Sequence, residues 1–276
     1  MKFEKRFPLD TLKDEFRVWT QLIKPILSLP ENVLNICEYG FTETLNNVID
    51  HSEGENVVIK CEQDDVFACF ELVDDGVGIF SKLRHHFSLD SDVHALIELV
   101  KGKLTVAPDA HSGEGLFFAS KMFDCFTLES GELIVVFEND LCTVTRTSLR
   151  KGTMVRMKVA NNSQRIAEHV FNRFCDTENL IFYKTRFLLL IASLEGNLVS
   201  RSQAKRVATR FESFAEVELD FTGVEKISQA FADELFRVWP IAHTETKLIV
   251  TNASEAVLKM ISHVKGRTDL PQPLND

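Results

Sequence analysis

A mixed α/β (α+β) chain folded as two domains is what this sequence predicts, and three observations carry that expectation. Its 276 residues are enough for two modest hydrophobic cores. Apolar residues recur both at helical spacing and in strict alternation, so helices and strands are interleaved. The pattern also changes at the polar run Asn161-Asn162-Ser163-Gln164, after which short strands alternate with helices. The expected division is a first domain over 1–160, a linker with a short helix over 161–179, a smaller α/β domain over 180–265, and a flexible tail over 266–276.

Each element has a local reason. Lys2 to Phe7 alternates charge with phenylalanine, which predicts a half-buried edge strand. Asp10 offers a cap for a helix carrying Leu12, Phe16, Trp19, Leu22 and Ile23, with Pro25 near its end. Pro30 takes a favoured first-turn position in the next helix. The apolar stripe of that helix is Val33, Leu34, Cys37, Phe41, Leu45 and Val48. Strands are expected at 56–62 and 66–73 around an Asp64-Asp65 turn. Residues 80–90 are polar, 93–100 predict a short helix, and 101–110 predict a loop with Gly102 and Pro108. A helix over 116–123 begins at a pair of glycines, and strands follow at 126–129, 132–138, 141–147 and 152–159. Beyond the linker come a helix at 166–174, strands at 187–192, 216–221 and 246–251, and helices at 200–213, 229–238 and 253–264.

Composition narrows the function classes. A net charge of −10 argues against broad electrostatic binding to nucleic acid or an anionic membrane. Six scattered cysteines without a Cys-x-x-Cys pair, and a start without a secretory pattern, predict reduced core thiols and a cytoplasmic protein. The longest apolar run, Phe187 to Ala192, falls far short of the ~20 residues a membrane helix needs.

The chemistry concentrates in the first domain. Glu43, Asn47 and His51 lie at i, i+4 and i+8 on one helix. Asn47 offers a neutral oxygen to a metal that keeps sites for water and phosphate. Glu43, one turn earlier, is placed to orient or deprotonate a nucleophile. Asp74 ends a buried strand and suits a hydrogen bond from an exocyclic amine, and Gly76 and Gly78 let the backbone approach a flat base. The loop Ser112-Gly113-Glu114-Gly115-Leu116 opens a helix whose N–H groups suit phosphate. Thr153, after Gly152, adds a hydroxyl near the base. His51 reads as a packing residue, and His85-His86 has no third ligand at metal spacing.

In that order, these residues resemble the GHKL (Bergerat-fold) ATP-binding domain over 1–160. Glu43-x-x-x-Asn47-x-x-x-His51 is similar to its asparagine box, and Asp74-x-Gly76-x-Gly78 to its adenine-binding glycine box. Gly113-x-Gly115-Leu116 is similar to the second glycine box, and Gly152-Thr153 to the terminal threonine motif. The subtype most resembles the anti-sigma-factor serine kinases and related histidine-kinase-like ATPases. The resemblance implies a two-layer α/β sandwich with a mixed sheet, a lid over 80–112, and ATP and Mg²⁺ as ligands. By position, Asn47 would hold Mg²⁺, Glu43 would be the base, Asp74 would meet the adenine amine, and 113–116 would cradle phosphates. A sensor-kinase assignment is weaker, because no dimerisation helix with a phosphoacceptor histidine is apparent.

Residues 180–265 resemble the STAS fold of anti-sigma-factor antagonists, and more closely the STAS-like domain found with GHKL ATPases. Asp220-Phe-Thr-Gly223-Val and Ala230-Phe-Ala-Asp233-Glu234 carry that resemblance. In the antagonists a phosphorylated serine sits near the helix start, where this chain has Ala230. Ser228 reads as a helix cap, and Asp233 and Glu234 as either interaction residues or a solvated face. The expected protein is an ATP- and Mg²⁺-binding intracellular regulator, a serine/threonine kinase or ATPase acting on a regulatory protein partner. The alternative is a non-catalytic, ATP-gated interaction switch. Neither nucleic acid nor membrane is an expected partner, and a homodimer is left open.

Overall fold

Strict alternation builds the first sheet. In the computed structural model, which describes residues 1–104, 106, 113–139 and 141–266, five strands run Lys2–Pro8 (β1), Asn56–Gln63 (β2), Phe67–Asp74 (β3), Cys125–Glu138 (β4) and Leu141–Ala160 (β5). Their order is β1-β2-β3-β5-β4, and every pairing is antiparallel. This corrects the expected mixed sheet. A tight turn joins β2 to β3, with Asp64 Oδ1 accepting from the N–H groups of Val66 and Phe67 at 2.7 Å, and only antiparallel strands can be joined so closely.

One face of this sheet is core and the other is charged. Val57, Ile59, Ala68, Phe70, Leu72, Met157 and Val159 are buried. On the opposite face the register aligns Glu4, Lys60, Glu71 and Arg156 in one row across four strands. Lys60 pairs with Glu4 at 3.6 Å and Glu71 at 3.3 Å, and Arg156 pairs with Glu71. Opposite charges on neighbouring strands support such a solvated face.

The helices here are Glu15–Val18 (α1), Glu31–His51 (α2), Ile79–Phe87 (α3), Asp92–Val100 (α4) and Gly115–Met122 (α5), of which α4 starts in this unit and passes into the second at Leu96. Gly40 lets α2 pack tightly, since a Cβ there would lie 2.2 Å from the Phe123 ring. Trp19 packs on Phe41 and Phe70 and donates its indole N–H to Glu38 at 2.6 Å. The first helix differs from expectation: Asp14, not Asp10, caps α1, accepting from the Arg17 N–H at 2.9 Å. Asp10 is instead taken into a 3₁₀ turn after Pro8, and beyond α1 the chain widens into a π turn over Trp19–Ile23. The polar stretch after residue 79 is helical because Phe80 and Leu83 bury one side of α3. The four short late strands are two long ones, since Gly131, at φ +56°, absorbs a bulge instead of ending β4.

The chain divides into two units: Met1–Ala95 with Gly102–Phe171, and Leu96–Lys101 with the chain from Asn172 onward. The helix Ala167–Phe174 (α6) carries the boundary. In the second unit Lys184–Leu188 (β6), Glu216–Asp220 (β7) and Lys247–Thr251 (β8) form a parallel sheet with β7 in the middle. Parallel strands need crossovers. They are supplied by Arg201–Ala208 (α8), and by Gln229–Asp233 (α9) running on through Glu234–Val238 into Trp239–Ala242 (α10). Glu255–Lys265 (α11) follows β8. The run 187–192 is not one strand: β6 stops at Leu188 and Leu189–Ala192 (α7) turns helical. A short, continuously apolar run carries no period that separates strand from buried helix.

Leu96–Lys101 ends in a buried charge cluster of this second unit. Lys101 is wholly buried, and its Nζ donates to Glu98 at 2.7 Å and to the Thr209 carbonyl at 2.8 Å. Arg210 also pairs with Glu98, and the Thr185 hydroxyl donates to the Lys101 carbonyl at 2.8 Å. Burial lowers the Lys101 pKa to about 8 despite Glu98.

Candidate functional site

Two small clusters in the first unit gather most of the motif residues: α2 contributes to one, and Ser52, just past its end, to the other. Along α2 the buried line Val33, Ile36, Cys37, Phe41, Thr44, Leu45 and Val48 faces the core, leaving Glu43 and Asn47 on a half-buried neighbouring line. The Asn47 Nδ2 donates to the Glu43 carbonyl at 2.8 Å. Only the amide nitrogen can donate to a carbonyl, so the amide oxygen is the atom left to face a ligand. The Glu43 carboxylate lies against the first residue of α5: a Cβ on Gly115 would fall 1.9 Å from its Oε2. A side chain at 115 would make the Glu43 carboxylate swing away from this position. Gly113 is at φ +70°, with its carbonyl accepting from the Leu104 N–H at 3.4 Å. Glu114 and Leu116 flank Gly115 at the start of α5. Ser112 and His111 lie outside the described residues.

The second cluster surrounds Asp74 at the end of β3, where the side chain is 4% exposed. Its Oδ1 accepts from the Gly76 N–H at 2.9 Å. Burial raises its pKa, and the amide hydrogen bonds of Gly76 and Thr153 offset that only in part. Among the described residues no lysine or arginine pairs with it. The next residue, Asp75, is used up locally, accepting from the N–H groups of Glu55 and Asn56 at 2.8 and 2.9 Å and from the Asn56 amide at 3.0 Å. Three glycines crowd this corner. A Cβ on Gly76 would be 1.9 Å from the Ser52 carbonyl, and one on Gly152 would be 2.1 Å from the Asp74 carbonyl. Gly78 (φ +85°) and Gly152 (φ +73°) also adopt a backbone that side chains resist. Thr153 Oγ1 accepts from the Ile79 N–H at 3.0 Å, tying the glycine loop after β3 to β5.

Other sequence expectations resolve into structure. The His51 carbonyl, at the end of α2, accepts from Lys82 Nζ at 2.7 Å, and Lys82 also pairs with Glu53 at 3.0 Å. His85 and His86 are exposed on the last turn of α3. Among the described residues, no three His, Cys, Asp or Glu side chains cluster as a metal site. The six cysteines form no disulfide, and burial pushes the Cys61 and Cys142 thiols up to about 12. Two residues that sequence patterns missed help build the Asp74 corner: the Ser52 carbonyl and buried Ser130, whose Oγ donates to the Gly152 carbonyl at 3.0 Å. Ser52 carries no signal because its backbone does the work, and Ser130-Gly131 reads as a strand break.

In the second unit Ser228 caps α9, accepting from the Phe231 N–H at 3.2 Å while donating to the Val199 carbonyl at 2.6 Å. Asp233 pairs with Arg201 at 2.9 Å and with Arg237, and Glu234 is buried. Both acids are thus held by the unit's own packing. Asp220, ending β7, is wholly buried. It accepts from the Thr222 N–H at 2.8 Å, the Thr222 hydroxyl at 2.7 Å and the Asn252 amide at 3.1 Å, and it pairs with Arg186.

The model of a family described as a STAS-like domain of unknown function (DUF4325) matches residues 203–258, which run from α8 into α11 through β7 and β8. No curated protein matches the chain. No helix among the described residues is long and apolar enough to cross a membrane.

Proposed function

We propose that the first unit is a GHKL-type module that binds ATP with Mg²⁺ and regulates a partner protein together with the STAS-like unit. The observation that supports this most is Asp74. It is a buried carboxylate without a cation among the described residues, framed by glycines that keep Cβ atoms out, at the end of a central strand. Such a group suits a flat ligand that brings its own N–H donor. The donor set fits a metal held largely by phosphate and water, since Asn47 offers one neutral oxygen and no acidic cluster is present among the described residues. Bound Mg²⁺ would neutralise phosphate charge. Glu43, against the first turn of α5, would accept the proton of a serine or threonine hydroxyl or of water.

The switch reading has its own support. Ala230 has no hydroxyl, and the Ser228 hydroxyl is engaged as a cap, so the chain offers no acceptor at the antagonists' position. In that case nucleotide occupancy changes a protein-binding surface without phosphoryl transfer. STAS-like domains serve protein interactions, in keeping with a regulatory role for the whole.

Binding and turnover of ATP by the wild type, Asn47→Ala and Glu43→Ala test the reading. Asn47→Ala is expected to lose Mg²⁺-dependent binding, and Glu43→Ala to bind without turnover. Normal hydrolysis by Glu43→Ala removes Glu43 as base. Binding without turnover in the wild type selects the switch, and a wild type that binds no adenine nucleotide ends both readings.

A further inference from the structure

We propose that Ser130 is the positioning residue of the Asp74 corner: its hydroxyl holds the Gly78 and Gly152 turns together and so sets where Asp74 meets a base. The significance for a base rests on the nucleotide reading, but the clasp itself stands on contacts within the sheet. Ser130 is wholly buried on β4, at the point where the β4–β5 register shifts. A hydroxyl taken out of water needs a partner. Its Oγ donates to the Gly152 carbonyl at 3.0 Å. Gly152, at φ +73°, has left the extended conformation. The same Oγ lies 2.7 Å from where a Cβ on Gly78 would be, so the Gly78 backbone runs directly over it. The following residue on each turn closes the clasp, Ile79 N–H donating to Thr153 Oγ1 at 3.0 Å. Asp74 is enclosed by the result, since a Cβ on Gly152 would lie 2.1 Å from its carbonyl and 2.9 Å from its Oδ1. Ser130 thus acts on the corner through two glycines.

Ser130→Ala removes the donor and keeps the packing. The first readout needs no nucleotide: NMR hydrogen exchange at the Ile79 amide should rise about tenfold, the scale of one net hydrogen bond, while core amides of β2 stay unchanged. Unchanged exchange at Ile79, or an equal rise throughout the sheet, overturns the proposal. The second readout compares ATP with ITP, which carries a carbonyl in place of the exocyclic amine. Ser130→Ala should weaken ATP binding about tenfold and leave ITP binding alone. Ser130→Cys, with a weak donor, should recover part of the preference, and it carries the same comparison if the alanine variant fails to fold. In an Asp74→Asn background, Ser130→Ala should cost no further ATP affinity, because both changes act on one contact. An equal loss for ATP and ITP marks a general structural role and overturns the proposal. A wild type indifferent between ATP and ITP sinks the contact of Asp74 with the exocyclic amine, a wild type that binds neither sinks the nucleotide reading, and in both cases the Ile79 exchange decides the clasp by itself.

Discussion

Asp74 and Asp220 occupy comparable places and meet opposite fates. Each ends the middle strand of its sheet, β3 in the first unit and β7 in the second, and each is buried. For both, burial is the largest influence and pushes the carboxyl pKa up. At Asp220, Thr222, Arg186 and Asn252 outweigh it, and the pKa falls below the usual value. At Asp74 only backbone amides help, and the pKa ends above it. A buried acid whose acceptors are filled by its own chain is a structural tie. One left short of donors in a glycine-lined corner is a candidate for a ligand.

The sharpest way to break this comparison is to truncate the satisfied member. Asp220→Ala should cost the second unit about 4 kcal/mol, since it leaves the Thr222 and Asn252 donors without their acceptor and takes from Arg186 one of two acids, Glu218 remaining at 3.4 Å. Urea unfolding measures the loss, and nucleotide binding by the first unit should survive. Gly152→Ala comes next, at about 3 kcal/mol, because a Cβ would meet the Asp74 carbonyl on a backbone at positive φ. It should also abolish ATP binding in titration calorimetry.

Lys101 gives a cation to set beside the two acids. Its folded pKa of about 8 lies below the ordinary 10.5, so between those values the unfolded chain binds the extra proton and stability rises with pH. Denaturation at pH 8 and pH 10 should show a gain of roughly 2 kcal/mol. Lys101→Met should flatten that slope.

Asp74→Asn has the smallest effect on stability. The folded pKa is raised, so the folded chain binds the proton more tightly and the charged form opposes folding above that pKa. Removing the charge should therefore stabilise the protein at neutral pH by about 1 kcal/mol while weakening ATP relative to ITP. Asp220, with its depressed pKa, behaves oppositely: its contribution is present above the usual carboxylate value and is lost as pH falls through the folded pKa. If Asp74→Asn destabilises as Asp220→Ala does, Asp74 is a structural tie after all.

Much of the fold was legible from local pattern. Alternation in 56–62 and 66–73 announced β2 and β3, and the periodic stripe after Pro30 announced α2, because burial on one side imposes a period on any regular element. The boundaries that failed lay where period is silent: the apolar run at 187–192, and Ser130-Gly131, which bends one strand instead of ending it. The candidate site divides in the same way. Residue identity, spacing and order pointed to Glu43, Asn47, Asp74, Gly76 and Gly78, since each motif is local along the chain.

The sequence by itself determined the mixed α/β class, the helix bearing Glu43 and Asn47, and the missing hydroxyl at Ala230, because these depend on identity and short-range spacing. Tertiary structure alone decided that the Glu43 carboxylate reaches Gly115, that Asp74 stays unpaired by any described cation while Asp220 finds Arg186, and that Ser130 joins two distant turns. Hydrogen-bond satisfaction inside a protein is set by atoms brought together across many residues, and no local period records it.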